Sequence, residues 1–166
     1  VERRALTELL HGRGAHALSL PSLEGIPFDL AARRVEGLPH SIWDLVWHVD
    51  YWMDYELRRI AGEAPRYPAH ASESWPASPP RDRHEWENEV RRFAGLLAKL
   101  EALAGATDEV LERRVDSLGA SHDAIASSLE AVLWQTVVHN SYHLGQIVLL
   151  RERLSIWPPE TGSDTW

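Results

Sequence analysis

His139 and His143 stand four residues apart in Trp134-Gln135-Thr136-Val137-Val138-His139-Asn140-Ser141-Tyr142-His143-Leu144-Gly145-Gln146-Ile147, within the longest apolar-periodic stretch of the sequence. A helix advances about 100° per residue, so positions four apart differ by only about 40° and lie one turn above each other. Two imidazoles on one helix face supply two ligands for a divalent metal. A catalytic zinc site characteristically has three protein ligands and an exchangeable fourth position, and three histidines make a valid set. The third must come from another helix. Of the nine histidines, His48 is the other one expected mid-helix beside an apolar face. His40, His70 and His122 fall in expected loops, His84 in a polar first turn, and His11 and His16 beside glycines. His-x3-His spacing alone is common by chance and is at least as often a packing or surface pair. The third internal histidine strengthens the metal reading, since three buried imidazoles without a metal would each need other partners.

The elements that must position these residues are helical. Ala5, Leu6, Leu9 and Leu10 form the stripe of a first helix over about Val1 to Leu10. Residues 19–40 hold Pro21, Pro27, Pro39, Gly25 and Gly37, which predicts a connector with short turns around Leu30 to Arg33. Ser41 is the expected N-cap of a second helix that carries His48 and stops at Ala61-Gly62, with Asp44 answering the cap and the dipole. Ile42, Leu45, Val46, Val49, Met53, Leu57 and Ile60 are its apolar face. Residues 63–81 hold five prolines around Trp75 and read as a long crossover with that indole turned inward. Asp82 and Glu85 resemble a capping box for a helix reaching Ala104, with a single turn following through Leu111 and a loop at Gly119. The last helix begins between Asp123 and Ser128 and runs to about Leu154, before Pro158-Pro159. Its buried stripe is Leu129, Val132, Leu133, Thr136, Val137, Asn140, His143, Leu144, Ile147 and Leu150. The fold class is therefore all-α, four main helices in one domain over residues 1–166, with at least one long crossover.

Composition narrows the chemistry. Hydrophobic residues make up 44% of the 166, enough for a packed core. There is no cysteine, which excludes disulfides, thiolate metal sites and a cysteine nucleophile. A net charge of −8 without basic clusters argues against nucleic acid. No membrane-length apolar run or leader is evident, so a cytoplasmic, soluble protein is the expectation. Glu8 and His11 make one Glu-x-x-His pair with no second copy, which argues against a carboxylate-bridged di-metal site. The eight tryptophans are expected mainly as helix-contact anchors, with one or two lining a pocket.

Ser41-Ile42-Trp43-Asp44-Leu45-Val46-Trp47-His48-Val49 and His139-Asn140-Ser141-Tyr142-His143-Leu144-Gly145-Gln146-Ile147 together resemble the DinB-like family of metal-binding four-helix bundles. Gly14-Ala15-His16, Gly37-Leu38-Pro39-His40-Ser41, Trp157-Pro158-Pro159 and Asp164-Thr165-Trp166 extend the similarity over essentially the whole chain. The resemblance implies an up-down-down-up bundle, often a homodimer, with a divalent metal on three histidines. By position these are His48, His139 and His143, the same three reached from spacing. It further implies a thiol-dependent S-transferase or isomerase using a low-molecular-weight thiol such as bacillithiol or mycothiol as cosubstrate. The alternatives are a metal-dependent hydrolase working through metal-bound hydroxide, or a non-catalytic dimeric metal- or ligand-binding bundle. Zinc or nickel is the expected metal and a small molecule the expected partner.

Around the ligands the readings stay open. Asp44 either orients His48 or serves the helix N-terminus. Gln146 either reaches toward His143 or bonds elsewhere. Thr136 and Asn140 should be hydrogen-bonded to a neighbouring helix or to the site, being polar on a buried stripe. Tyr142 and Trp52 read as packing residues, and Arg33, Arg34 and Arg151 or Arg153 either meet acidic groups of a thiol cofactor or, the simpler reading, are surface arginines. No residue presents itself as a general base.

Overall fold

The computed structural model describes residues 3–115 and 128–161. The expected loop at Gly119, the loop position of His122 and the closing Asp164-Thr165-Trp166 lie outside the described residues. Among the described residues there are six α-helices: α1 (Arg3–Leu10), α2 (Phe28–Ala31), α3 (Ile42–Ile60), α4 (Arg83–Ala104), α5 (Asp108–Leu111) and α6 (Leu129–Arg153). Two 3-10 turns, Pro21–Leu23 and Ala71–Ser74, interrupt the long connections. There is no strand among the described residues, and no helix in them is long and apolar enough to cross a membrane.

The bundle is built from α1, α3, α4 and α6. Both α1 and α3 pack on α4 and α6, so they face one another across the bundle. The apolar stripes meet in one core, from Leu6 and Leu10 through Ile42, Leu45 and Met53 to Leu97, Leu100, Leu129, Leu133 and Ile147. On α6 all ten residues of the expected stripe are buried.

The helix starts follow their capping chemistry. Ser41 Oγ accepts from the Asp44 amide at 3.2 Å, and Asp44 Oδ2 accepts from the Ser41 amide at 2.8 Å. This reciprocal box satisfies two otherwise orphaned amides. Asp44 also meets Arg34 at 2.9 Å, so it serves the helix terminus and not His48. At α4 the box is only half formed. Asp82 caps Glu85 at 2.9 Å, but the Glu85 carboxylate reaches the Arg81 amide, one residue before the cap. Ser128 caps α6 through the Ala131 amide at 3.2 Å. The short turn expected near Leu30 to Arg33 begins earlier, because Pro27 sits extended in the cap position and Phe28 follows it directly into helix.

Two tryptophans anchor the connections. Trp43 Nε1 donates to the Ser78 carbonyl at 3.0 Å, which ties the crossover to α3. Trp86 Nε1 donates to the Ile26 carbonyl at 3.2 Å and ties the first connector to α4. Both indoles are buried, where an unpaired N–H is costly.

Asp50 breaks the apolar pattern of α3. It is 0% exposed, neither carboxylate oxygen has a donor, and it faces Glu89 of α4. Burial first, then the Glu89 charge, push its pKa up to about 10. The folded protein therefore keeps a proton that the unfolded chain releases above about pH 4. Stability is fully present below that pH and is lost progressively as pH rises toward the folded value. Asp50→Asn keeps a donor toward Glu89 and removes this dependence. Its melting temperature is expected to exceed that of the parent by on the order of 10 °C at pH 8, with the gap closing by pH 4. A gap independent of pH in thermal scans would contradict a protonated Asp50.

Candidate metal centre

The His48 side chain leaves α3 toward α6, where His139 and His143 face it from successive turns. One ring nitrogen from each of the three lies within 4.8 Å of the others. The ring centroids are 5.3 Å apart for His48–His139, 4.8 Å for His48–His143 and 4.6 Å for His139–His143. His48 and His143 are buried, and His139 is half-buried.

Hydrogen bonds decide which nitrogens point inward. His48 Nδ1 lies 2.7 Å from the Ser74 carbonyl oxygen. A carbonyl only accepts, so Nδ1 carries the proton and Nε2 is left with its lone pair. His143 Nδ1 lies 2.9 Å from Gln146 Oε1, with the same consequence. An imidazole fixed through one nitrogen presents the other as a ligand. Burial pulls His48 down from the ordinary histidine value to about 4, His143 and His40 push the same way, and the Ser74 carbonyl opposes. His139 also falls to about 4, from burial and then from His143 and His48. Burial lowers His143 too, against the support of Gln146. All three rings are thus neutral near pH 7, the form that binds metal.

The donor set fits a divalent ion. Tetrahedral zinc with bonds of about 2.0–2.1 Å needs nitrogens roughly 3.4 Å apart, and the three ring nitrogens lie within 4.8 Å of one another. Among the described residues no carboxylate joins the cluster.

Aromatic rings wall the site. Trp75, carried by the proline-rich crossover, stacks on His48 at 3.9 Å and 10°, and on His40 at 3.7 Å and 3°. The crossover thus supplies both the Ser74 carbonyl and the ring that hold His48. Trp52 stands edge-on to His48 and His139, with centroids at 6.3 and 6.4 Å. Tyr142 is not the packing residue expected: it is 66% exposed, with its ring 4.9 Å from His143 at the rim.

A second brace comes from the N-terminal segment. His16 Nδ1 donates to the Ala17 carbonyl at 2.8 Å, so Nε2 accepts from Ser141 Oγ at 2.9 Å, between the two α6 histidines in sequence. Gly12 makes room for this ring. Its φ is +80°, and a Cβ there would lie 2.5 Å from His16 Cε1. Neither His16 nor His40 joins the three-histidine cluster.

The sequence left Gln146 between two roles, and it reaches His143. The Ser74 carbonyl was beyond sequence reasoning, because main-chain acceptors carry no residue signature. Thr136 donates to the Val132 carbonyl one turn back at 3.0 Å. Asn140 does not meet its expectation, since neither amide atom has a hydrogen-bond partner. Arg151 is not a surface arginine but is 1% exposed.

No match was found among curated proteins, and none among solved structures. The family model described as the DinB superfamily matches residues 12–147, a span that includes all three histidines. With an all-helical bundle and the three-histidine cluster, the chain belongs to the DinB superfamily.

Proposed function

We propose that His48, His139 and His143 hold a divalent metal, zinc or nickel, in a thiol-dependent S-transferase. The observation that carries this reading is the convergence of three neutral imidazoles, two of them fixed through Nδ1, with no carboxylate among the described residues in the cluster. A metal bound there supplies Lewis acidity at an open position, enough to lower the pKa of a thiol or a water that enters it. A thiol needs little further help to ionise, which suits a cluster that no carboxylate joins among the described residues. The chain has no cysteine, so the thiol comes from a cosubstrate. Trp75, Trp52 and Tyr142 supply apolar walls that strip water from the sulfur and orient the electrophile. A carbon–sulfur bond then forms as the thiol proton passes to solvent and the leaving group departs. Such a reaction suits the cytoplasm, where thiols stay reduced.

The test is conjugation of monochlorobimane with cysteine, bacillithiol or mycothiol by the zinc- or nickel-loaded protein. Thiol-dependent product formation is expected to fall at least about a hundredfold in His48→Ala. Hydrolysis of model esters or amides without thiol would move the assignment to a hydrolase. Neither activity in a metal-loaded protein would leave a binding bundle.

The same reading includes a homodimer. Val138 is 68% exposed, Tyr142 66% and Leu149 41%, along the outer face of α6. Gly145 lies between them, and a Cβ there would meet open space. A second copy on this stripe covers apolar side chains and closes the rim of the site at Tyr142. Val138→Arg combined with Leu149→Arg is expected to convert a dimer to a monomer in sedimentation velocity. A parent protein that sediments as a monomer at high concentration would refute the dimer.

A further inference from the structure

Beside the histidine cluster lies a cavity of about 50 Å³, bounded by Trp52, Met53 and Glu56 of α3 and by Gln135, Thr136, His139 and Asn140 of α6. It shares Trp52 and His139 with the candidate metal centre. A space of this size exceeds the roughly 10–15 Å³ one water needs, so it admits a group of a few heavy atoms.

Asn140 is the unexplained member of the wall. It is 8% exposed, and both Nδ2 and Oδ1 are buried without a hydrogen-bond partner. It lies near enough to His139 to support the charged imidazole weakly, yet no amide atom reaches hydrogen-bond geometry. A buried amide left unpaired destabilises a fold, and a residue kept in that state calls for a partner. The neighbours do not supply one. Thr136 gives its proton to the Val132 carbonyl, and the Glu56 carboxylate accepts from Arg59 at 2.7 Å.

We infer that this cavity is a ligand subsite for a compact, neutral group that both donates and accepts hydrogen bonds, a carboxamide or a hydroxyl. Asn140 offers two N–H donors and one acceptor, which an amide or alcohol answers in both directions. A carboxylate brings only acceptors and would set them against Glu56 in a confined space. Met53 and Trp52 supply the apolar remainder. The shared His139 places this group on the molecule whose other end reaches the histidines. That last step rests on the metal-centre reading, whereas the subsite itself does not.

The test follows the side-chain amide resonances of Asn140, assigned by their loss in Asn140→Leu. Metal-free protein is titrated with propionamide, n-propanol and propionate. Saturable shifts with propionamide or n-propanol, at least about fivefold weaker with propionate, are expected; whichever neutral probe binds names the group. Asn140→Leu should abolish neutral-probe binding without lowering the melting temperature, because the leucine leaves no unpaired amide. If neither neutral probe shifts the resonance, Asn140 bonds only to trapped water and the inference falls. It falls equally if propionate binds as well as the amide, or if Asn140→Leu loses stability while probe binding persists. His48→Ala is expected to retain the propionamide shift, so failure of the metal reading leaves this result legible. On zinc-loaded protein, mercaptopropionamide should bind about tenfold more tightly than propanethiol. A ratio near one would break the link between subsite and centre.

Discussion

Excess zinc or nickel is expected to raise the melting temperature of the metal-free protein by roughly 8–16 °C, and His48→Ala is expected to erase the rise. An ion at about a thousand times its dissociation constant adds about 4 kcal/mol to the folded state. In a domain of this size each kcal/mol is worth roughly 2–4 °C. His48 should show the largest loss because it would be the ligand from α3. Without it, the ion sits on two imidazoles of one helix and no longer ties α3 to α6. His139→Ala and His143→Ala should also abolish most of the rise. The chain has nine histidines, so the specificity of the effect is the decisive part. His40 stacks on Trp75 outside the cluster, and His40→Ala should leave the metal-induced shift within a few degrees of the parent. Differential scanning calorimetry before and after metal addition separates these outcomes. No shift in the parent, or an equal loss in His40→Ala, would remove the three-histidine centre from consideration.

The cluster was legible in the sequence for a physical reason. His139 and His143 are bound together by helix geometry, and the apolar stripes of α3 and α6 leave His48 little choice of direction. A stripe that must be buried fixes which way its histidine points, and the structure brings the three together. The Ser41 cap was equally local and is formed as read. What could not be read depends on contacts distant in sequence. Ser74 reaches His48 across 26 positions, and His16 reaches Ser141 across 125. Neither has a periodicity or a motif. Asp50 also escaped, because an acidic side chain reads as exposed even where, one turn from Val46, its place on α3 adjoins the apolar face. Tyr142 misled in the opposite direction: aromatic character suggested packing, but its position on α6 faces outward.

Arg151 shows the same limit. It reads as a surface arginine, yet the side chain turns inward. Nη1 donates to the Ser22 carbonyl at 2.7 Å, and Nε and Nη2 donate to the Ile156 carbonyl at 3.1 and 2.9 Å. The guanidinium carbon lies 5.3 Å from the centre of the Trp157 ring. One planar fork thereby holds the first connector and the segment after α6 against the same helix. Arg151→Met keeps the apolar stem but takes these donors from the buried Ser22 carbonyl and the partly buried Ile156 carbonyl. It is expected to cost about 3–5 kcal/mol, a fall of roughly 6–20 °C. Arg151→Lys keeps the charge without the fork and should fall between the two. The metal-induced thermal shift should survive in both, because the histidines are held from α3, α6 and Ser74, not from Ile156. A Met variant within about 1 kcal/mol of the parent would show that the fork is dispensable. A variant that unfolds normally yet loses its metal response would show that the far end of α6 reaches the centre after all.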